Sequence, residues 1–166
     1  WRPAVLTTAS GVRVGFLAVA DHCGCLRMGR WVAGRDQPGL AWANLSAGHL
    51  ERLLAAVSAL DRSVDLVVVS VHSGPNWLPE GPPAWQRSLA AALVAAGADV
   101  VWSHSAHHVL PLESIRGRTV IYGPGDLVDD YRRDPEYRNE LGMVGRVQLG
   151  VGGHAAGGGK GLAHED

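Results

Sequence analysis

The alternation of short apolar runs with amphipathic segments constrains the fold of this chain more than any other feature. Residues 12–20 and 64–71 are rich in β-branched side chains and predict buried strands, and 100–102 predicts a third. The intervening segments 46–61 and 82–97 carry apolar residues at helical spacing and predict two helices. Strands and helices in this order predict a right-handed βαβαβ unit with a parallel sheet, and therefore an α/β fold.

The rest of the chain predicts a hairpin, one further strand and a flexible tail. Residues 109–115 and 118–122 predict two strands joined by a short turn, and 141–149 carries a weaker strand pattern. Residues 151–166 are rich in glycine and low in complexity, which is typical of flexible tails. We therefore expect one folded domain over residues 1–150, followed by this tail.

Histidines lie at or just beyond the ends of the three predicted strands. His22 follows the first strand after one intervening residue, His72 follows the second directly, and His104 follows the third after one residue. The carboxyl ends of parallel strands meet at one edge of a sheet, where ligands bind in such folds. Three imidazoles directed at this edge indicate a binding site.

The histidine cluster after the third strand favours a metal site. His104, His107 and His108 fall within five positions, and neutral imidazole offers a lone pair to a metal ion at physiological pH. An H-x-x-H pattern alone is more often structural, but His72 at the neighbouring strand end favours metal binding. Asp126, one hairpin further on, is a candidate ligand, general acid or turn residue.

Composition and local motifs argue against several other functions. A formal net charge of -1 at pH 7 provides no bulk attraction to nucleic acid or to an anionic membrane. No apolar run approaches the roughly 20 residues that cross a bilayer. Cys23 and Cys25 are too few and too close for a disulfide framework. A serine hydrolase ranks low, because no serine near the histidines lies in a G-x-S-x-G elbow.

Longer motifs carry a more specific signal than any single histidine pair. The chain contains, in order, VVVSVHSGPNW, GADVVWSHSAHHV, GRTVIYGPGDLVDDY and DPEYRNELG. Together they resemble the CapA family of bacterial capsule, or poly-γ-glutamate, synthesis proteins, which belongs to the calcineurin-like metallophosphoesterase superfamily. The resemblance covers about residues 12–149. It implies that residues 1–150 are the C-terminal part of a metallophosphoesterase-type α/β sandwich.

The resemblance implies separate roles for the neighbouring histidines. His72 stands at the histidine of the family's HWG motif, and His104 and His107 stand at the two histidines of its GHxxH motif. These positions would ligate divalent metal ions, Mn, Fe or Zn, of which the complete domain would hold two. His108 would be a neighbour of the ligands and not a ligand itself.

Two further residues are implied as catalytic, and three substitutions depart from the family pattern. Asp126 matches the aspartate of the family's G-D-F segment. His22 follows a strand end that faces the cleft, where it would orient substrate or transfer a proton. The family has Trp, Gly and Phe where this chain has Ser73, Ser103 and Leu127.

The resemblance implies a function in capsule or poly-γ-glutamate biosynthesis at the cell envelope or extracellular face. A metal site of this kind hydrolyses phosphoesters, here of a small molecule or a polymer, and other capsule-synthesis proteins are implied partners. The superfamily's early Gly-Asp and Asn-His elements have no counterpart here, so we expect an N-terminally truncated fragment with the histidine half of the site. The alternative is a non-catalytic accessory or binding domain of envelope polymer assembly.

Overall fold

Among the residues that the structure describes, one mixed sheet of six strands with two helices forms the framework. The computed structural model describes residues 1–21, 31–45 and 48–148. The strands are β1 (Ala4–Thr7), β2 (Arg13–Ala20), β3 (Leu66–His72), β4 (Val100–His104), β5 (Leu112–Ile115) and β6 (Arg118–Ile121). The helices are α1 (His49–Asp61) and α2 (Ala84–Ala95). His22 and the predicted tail 151–166 lie outside the described residues.

The sheet confirms the α/β class and the parallel βαβαβ unit. Its strand order is β1-β2-β3-β4-β6-β5. The central strands β2, β3, β4 and β6 run parallel, whereas β1 and β5 pair antiparallel at the two edges. The predicted hairpin is present as β5 and β6, which form the second edge of the sheet.

Both helices follow the apolar spacing that predicted them. In α1, Leu53, Val57 and Leu60 are buried on one face. In α2, Pro83 occupies the N-cap position, where the missing N–H of proline has no partner to lose. The helices have 13 and 12 residues, and no helix among the described residues is long and apolar enough to cross a membrane.

The helices pack on one face of the sheet and leave the other face uncovered by any described helix. Alternate residues of the central strands form the core with the helices, and this core includes Leu17, Val19, Val67, Val69, Val71 and Val101. The opposite face carries Phe16, Ser70 and Trp102, and Phe16 is 38% exposed. The edge strands add Leu6 and Leu112 to the exposed apolar residues, at 61% and 56%. We call this surface the open face.

Two parts of the chain differ from the sequence prediction. Strand β1 was not predicted, because its four residues are all exposed and show no alternation of apolar and polar residues. The strand predicted over 141–149 is absent from the described residues 141–148. There the backbone turns against the loop after β6, and Met143 N donates to Pro124 O at 2.7 Å. This close approach to another loop replaces strand pairing.

A buried ion pair ties three strands together at the end of the sheet opposite the histidines. Asp99, directly before β4, is 1% exposed and accepts a hydrogen bond from Val67 N at 2.7 Å. Its other carboxylate oxygen lies 2.6 Å from Arg118 Nη1 at the start of β6. The carboxylate therefore links β3, β4 and β6 in one contact.

Arg118→Met is expected to lower the free energy of unfolding by about 3 kcal/mol, because it leaves the carboxylate of Asp99 buried without its cationic partner. Urea denaturation followed by circular dichroism measures the change. Arg62→Met is the matched control, since Arg62 is exposed at the end of α1. Equal stability of the two variants would show that the buried pair contributes little.

Candidate functional site

The histidines predicted at the strand ends lie in one row across the sheet. The parallel register pairs Ala20 with His72 and His72 with His104. Both histidines are the last residues of their strands, so relative to the strand ends His72 lies one position and His104 two positions earlier than we predicted. Their side chains lie on the open face, together with Ser70 two residues earlier on β3.

His72 and His104 form a direct imidazole pair. Their Nδ1 atoms are 2.9 Å apart, so one ring donates and the other accepts, and His104 Nε2 lies 3.2 Å from Ser70 Oγ. Burial lowers the pKa of both rings, because removal from water disfavours the charged form. Nearby His107 lowers the pKa of His72 further, and His72 does the same to His104. Both imidazoles are therefore neutral near pH 7, the form that binds metal ions.

His107 and Asp126 form a second pair beside the first. His107 Nδ1 lies 2.8 Å from Asp126 Oδ2, and the two side chains are 24% and 28% exposed. His107 has a left-handed backbone with φ 60°, which costs free energy in a residue with a Cβ atom. A carboxylate on one ring nitrogen fixes the tautomer, so Nε2 carries the free lone pair when the ring is neutral.

His108 has a structural environment that differs from those of its neighbours. It is 6% exposed, and its Nε2 accepts a hydrogen bond from Leu78 N at 3.0 Å. Its ring stacks on Trp77 with 10° between the planes. One of its two ring nitrogens therefore accepts a hydrogen bond from the backbone of the loop after β3.

Several hydrogen bonds fasten the loops after β3 and β4 to each other and to α2. Ser73 N donates to His104 O at 3.1 Å, and Ser105 Oγ donates to Gly74 O at 2.8 Å. Gln86 of α2 is 4% exposed and donates from Nε2 to Ser73 O at 2.9 Å. Our sequence analysis missed Gln86, although its position three residues before Leu89 places it on the buried side of α2.

An aromatic cluster of Trp77, Tyr131 and Tyr137 lies next to these loops and was also missed. The ring of Trp77 is 5.8 Å from that of His107 and 5.3 Å from that of Tyr137. Tyr131 lies 5.3 Å from His107.

Two cavities adjoin the cluster. One of about 650 Å³ is lined by His107, Asp126 and residues 127–131, and one of about 490 Å³ lies between Trp77 and residues 132–137.

The described residues contain part of a plausible metal-binding set. Two nitrogens about 2.1 Å from a tetrahedral ion are about 3.4 Å apart, so the spacing of His72 and His104 fits two ligands of one ion with a slight opening. His107 is close enough to influence the pKa of His72. In the part of the chain that the structure describes, no three His, Cys, Asp or Glu side chains converge as a complete metal-binding group. His22 lies outside that part, and its predicted role stays a prediction.

Comparison with known protein families gives a match over most of the chain. The family described as bacterial capsule synthesis protein PGA_cap matches residues 1–131. The matched range contains every predicted site residue, including His22, His72, His104, His107 and Asp126. It also includes residues 1–11, which lie before the motifs that suggested the resemblance, and it ends before the DPEYRNELG motif.

Similar proteins come from mycobacteria and bacilli. A probable polyglutamine synthesis accessory protein of Mycobacterium tuberculosis is 37% identical over 119 residues, which are 69% of this chain and 31% of that protein. The PGA biosynthesis protein CapA of Bacillus subtilis is 30% identical over 121 residues, or 73% of this chain and 29% of that protein. The capsule biosynthesis protein CapA of Bacillus anthracis is 29% identical over 126 residues, or 76% and 29%. The chain thus spans less than a third of the length of these relatives.

Gly74→Ala tests the contact between the histidine loop and α2. Gly74 has φ 95°, and a Cβ there would collide with Gln86 Nε2. Gly81→Ala is the matched control, because Gly81 has φ 82° and open space at the Cβ position. Both variants carry backbone strain of about 1–2 kcal/mol, and Gly74→Ala is expected to lose about 1–3 kcal/mol more in urea denaturation. Equal losses in the two variants, or a loss from Gly74→Ala that is the same with and without Gln86→Ala, would contradict the contact.

Proposed function

Since the chain belongs to the family of bacterial capsule synthesis proteins, we propose that it acts in the biosynthesis of a poly-γ-glutamate or related capsule polymer. Its chemistry is that of a metal-dependent, phosphoesterase-type hydrolase, and this chain supplies the histidine side of the site. The substrate is a small-molecule or polymer phosphoester. The protein works at the cell envelope with other capsule-synthesis proteins.

The observation that carries this proposal is the neutral imidazole pair of His72 and His104 at the carboxyl edge of the parallel sheet. Their Nδ1 atoms are 2.9 Å apart, and burial lowers the pKa of each ring, so near pH 7 a cation requires a tautomer shift at one Nδ1 but no net loss of a proton from the pair. His72, His104 and His107 are the residues that would hold a divalent ion. Such an ion supplies Lewis-acid polarisation of a phosphoryl oxygen when it is bound.

Asp126 acts in this proposal through His107. Its carboxylate accepts the Nδ1 proton of His107 at 2.8 Å, which leaves Nε2 as the basic nitrogen of the ring. Asp126 is thus a positioning residue for a ligand, a narrower role than the catalytic one that the resemblance implies. His22 remains the candidate for orienting substrate or transferring a proton.

A non-catalytic accessory domain is the second candidate. The mycobacterial relative is named an accessory protein, and no group of three metal-binding side chains is complete within residues 1–21, 31–45 and 48–148. An accessory domain of envelope polymer assembly needs the family fold but no hydrolytic centre. Metal binding separates the two candidates.

Metal binding by histidine variants tests the proposed hydrolase function. The purified chain is expected to bind Mn²⁺ or Zn²⁺ in calorimetric titrations, and His72→Ala, His104→Ala and His107→Ala are each expected to weaken binding more than about tenfold. His108→Gln is the control, since it keeps an acceptor for Leu78 N and is expected to change affinity little. A wild-type chain that takes up no Mn, Fe or Zn would refute metal binding by the histidine half alone, and no uptake by the full-length protein that contains this chain would refute the hydrolase and leave the accessory domain. Equal losses in His107→Ala and His108→Gln would refute the choice of His107.

The Asp126→Asn variant distinguishes a role of Asp126 in positioning His107 from a role in folding. The amide keeps the size of the side chain but removes its negative charge, so metal affinity is expected to fall about 10–100-fold. Thermal unfolding followed by circular dichroism is expected to change little, because Asp126 is partly exposed. Unchanged metal affinity would exclude the proposed role of Asp126.

A further inference from the structure

Ser70 lies on the open face and contacts the imidazole pair from one side. The register pairs Ser70 of β3 with Trp102 of β4, and His104 lies two residues further along β4 on the same face. Ser70 Oγ is 3.2 Å from His104 Nε2, and His104 Nδ1 is 2.9 Å from His72 Nδ1. The three side chains therefore form one continuous chain of hydrogen bonds.

This chain of hydrogen bonds can carry its protons in two ways, because a serine hydroxyl can donate or accept. If Ser70 donates, neutral His104 bears its proton on Nδ1 and donates it to His72. If Ser70 accepts, His104 bears its proton on Nε2, and its Nδ1 accepts a hydrogen bond from His72. Only the second arrangement leaves the lone pair of His104 on Nδ1, the nitrogen next to His72.

The length of the contact between serine and imidazole favours the second arrangement. Hydrogen bonds from N–H donors to oxygen extend to about 3.2 Å, whereas O–H donors usually lie within about 3.0 Å of an oxygen acceptor. The 3.2 Å between Ser70 Oγ and His104 Nε2 is within the range for an N–H donor and long for a hydroxyl donor. His104 therefore donates from Nε2 to Ser70.

The three histidines proposed as ligands differ in what contacts their second nitrogen. His107 Nδ1 lies 2.8 Å from Asp126 Oδ2, and His104 Nε2 contacts Ser70. Within residues 1–21, 31–45 and 48–148, His72 Nε2 has no hydrogen-bond partner. A proton that leaves Nδ1 of His72 can therefore move to Nε2 of the same ring, whereas the proton of His104 is held by the serine.

We propose that Ser70 is a positioning residue that fixes the tautomer of His104, so that its Nδ1 offers a lone pair to a divalent cation. The inference rests on the proposed function, because it concerns cation binding by this imidazole pair. His104 is then the ring that needs no proton shift, and His72 is the ring that must change its tautomer. Hydrogen bonds to the second nitrogen of metal-binding histidines typically contribute about 10–100-fold to metal affinity.

NMR of the imidazole nitrogens in the metal-free chain tests the tautomer directly, because protonated and unprotonated ring nitrogens differ in chemical shift. His104 is expected to carry its proton on Nε2, and His72 on Nδ1. Ser70→Ala is expected to give a mixture of tautomers in both rings. Ser70→Thr keeps the hydroxyl at this half-buried position and is expected to restore the wild-type pattern.

Calorimetric titration with Zn²⁺ tests the consequence for binding. Ser70→Ala is expected to weaken Zn²⁺ binding about tenfold or more, and Ser70→Thr is expected to recover most of the loss. Ser114→Ala is the matched control, because it removes the hydroxyl of an exposed serine on the edge strand β5. It is expected to change neither the tautomers nor the affinity. Circular dichroism establishes that each variant is folded.

The outcomes separate this inference from the hydrolase proposal. Three results would each overturn the role of Ser70 and leave metal binding as proposed: a proton on Nδ1 of His104 in the wild-type chain, tautomers that Ser70→Ala does not change, or Zn²⁺ binding that Ser70→Ala does not weaken. The expected tautomers in a chain that takes up no metal would support the assignment of Ser70 and overturn metal binding by the histidine half alone.

Discussion

The parallel register of β2, β3 and β4 decides where the functional side chains lie. Val67, Val69 and Val71 are fully buried against the helices, so the alternate residues of β3, including His72, must lie on the open face. A register shift of one residue would bury the imidazole among the helices and expose the valines. The free energy of core packing thereby fixes the position of a polar pair that contributes little to the core itself.

The histidine edge could be predicted from sequence because it depends on local patterns. A buried strand, its end and the residue that follows are all visible in a short window, and the strand ends placed His72 and His104 side by side. The pairing of His107 with Asp126 joins residues 19 positions apart, and the hydrogen bond from Gln86 to Ser73 O joins two elements. No local pattern contains such contacts. The ring contacts of the aromatic cluster escaped prediction for the same reason, since irregular backbone has no period to detect.

Backbone strain and hydrogen bonding balance each other around the site. Trp77, Ser105 and His107 all have positive φ angles, which are unfavourable for residues with a side chain. The loop bonds that oppose this strain include Trp77 N to Ala106 O at 3.1 Å and Ser105 Oγ to Gly74 O at 2.8 Å. The histidines are thus held by a network that spans both loops.

Because the histidine pair lies on the open face, its environment depends on whatever packs against that face. Parallel sheets are almost always covered on both faces, and the face left open by the described helices carries Trp102 two residues before His104 and Phe16 further along the sheet. A polypeptide layer that buries these apolar residues encloses the imidazoles in the same contact. Thermodynamic linkage would then couple the two events, because any ligand that prefers the enclosed pair would also strengthen the association of the layer. Covering this face of the sheet and enclosing the imidazoles would therefore be a single coupled process.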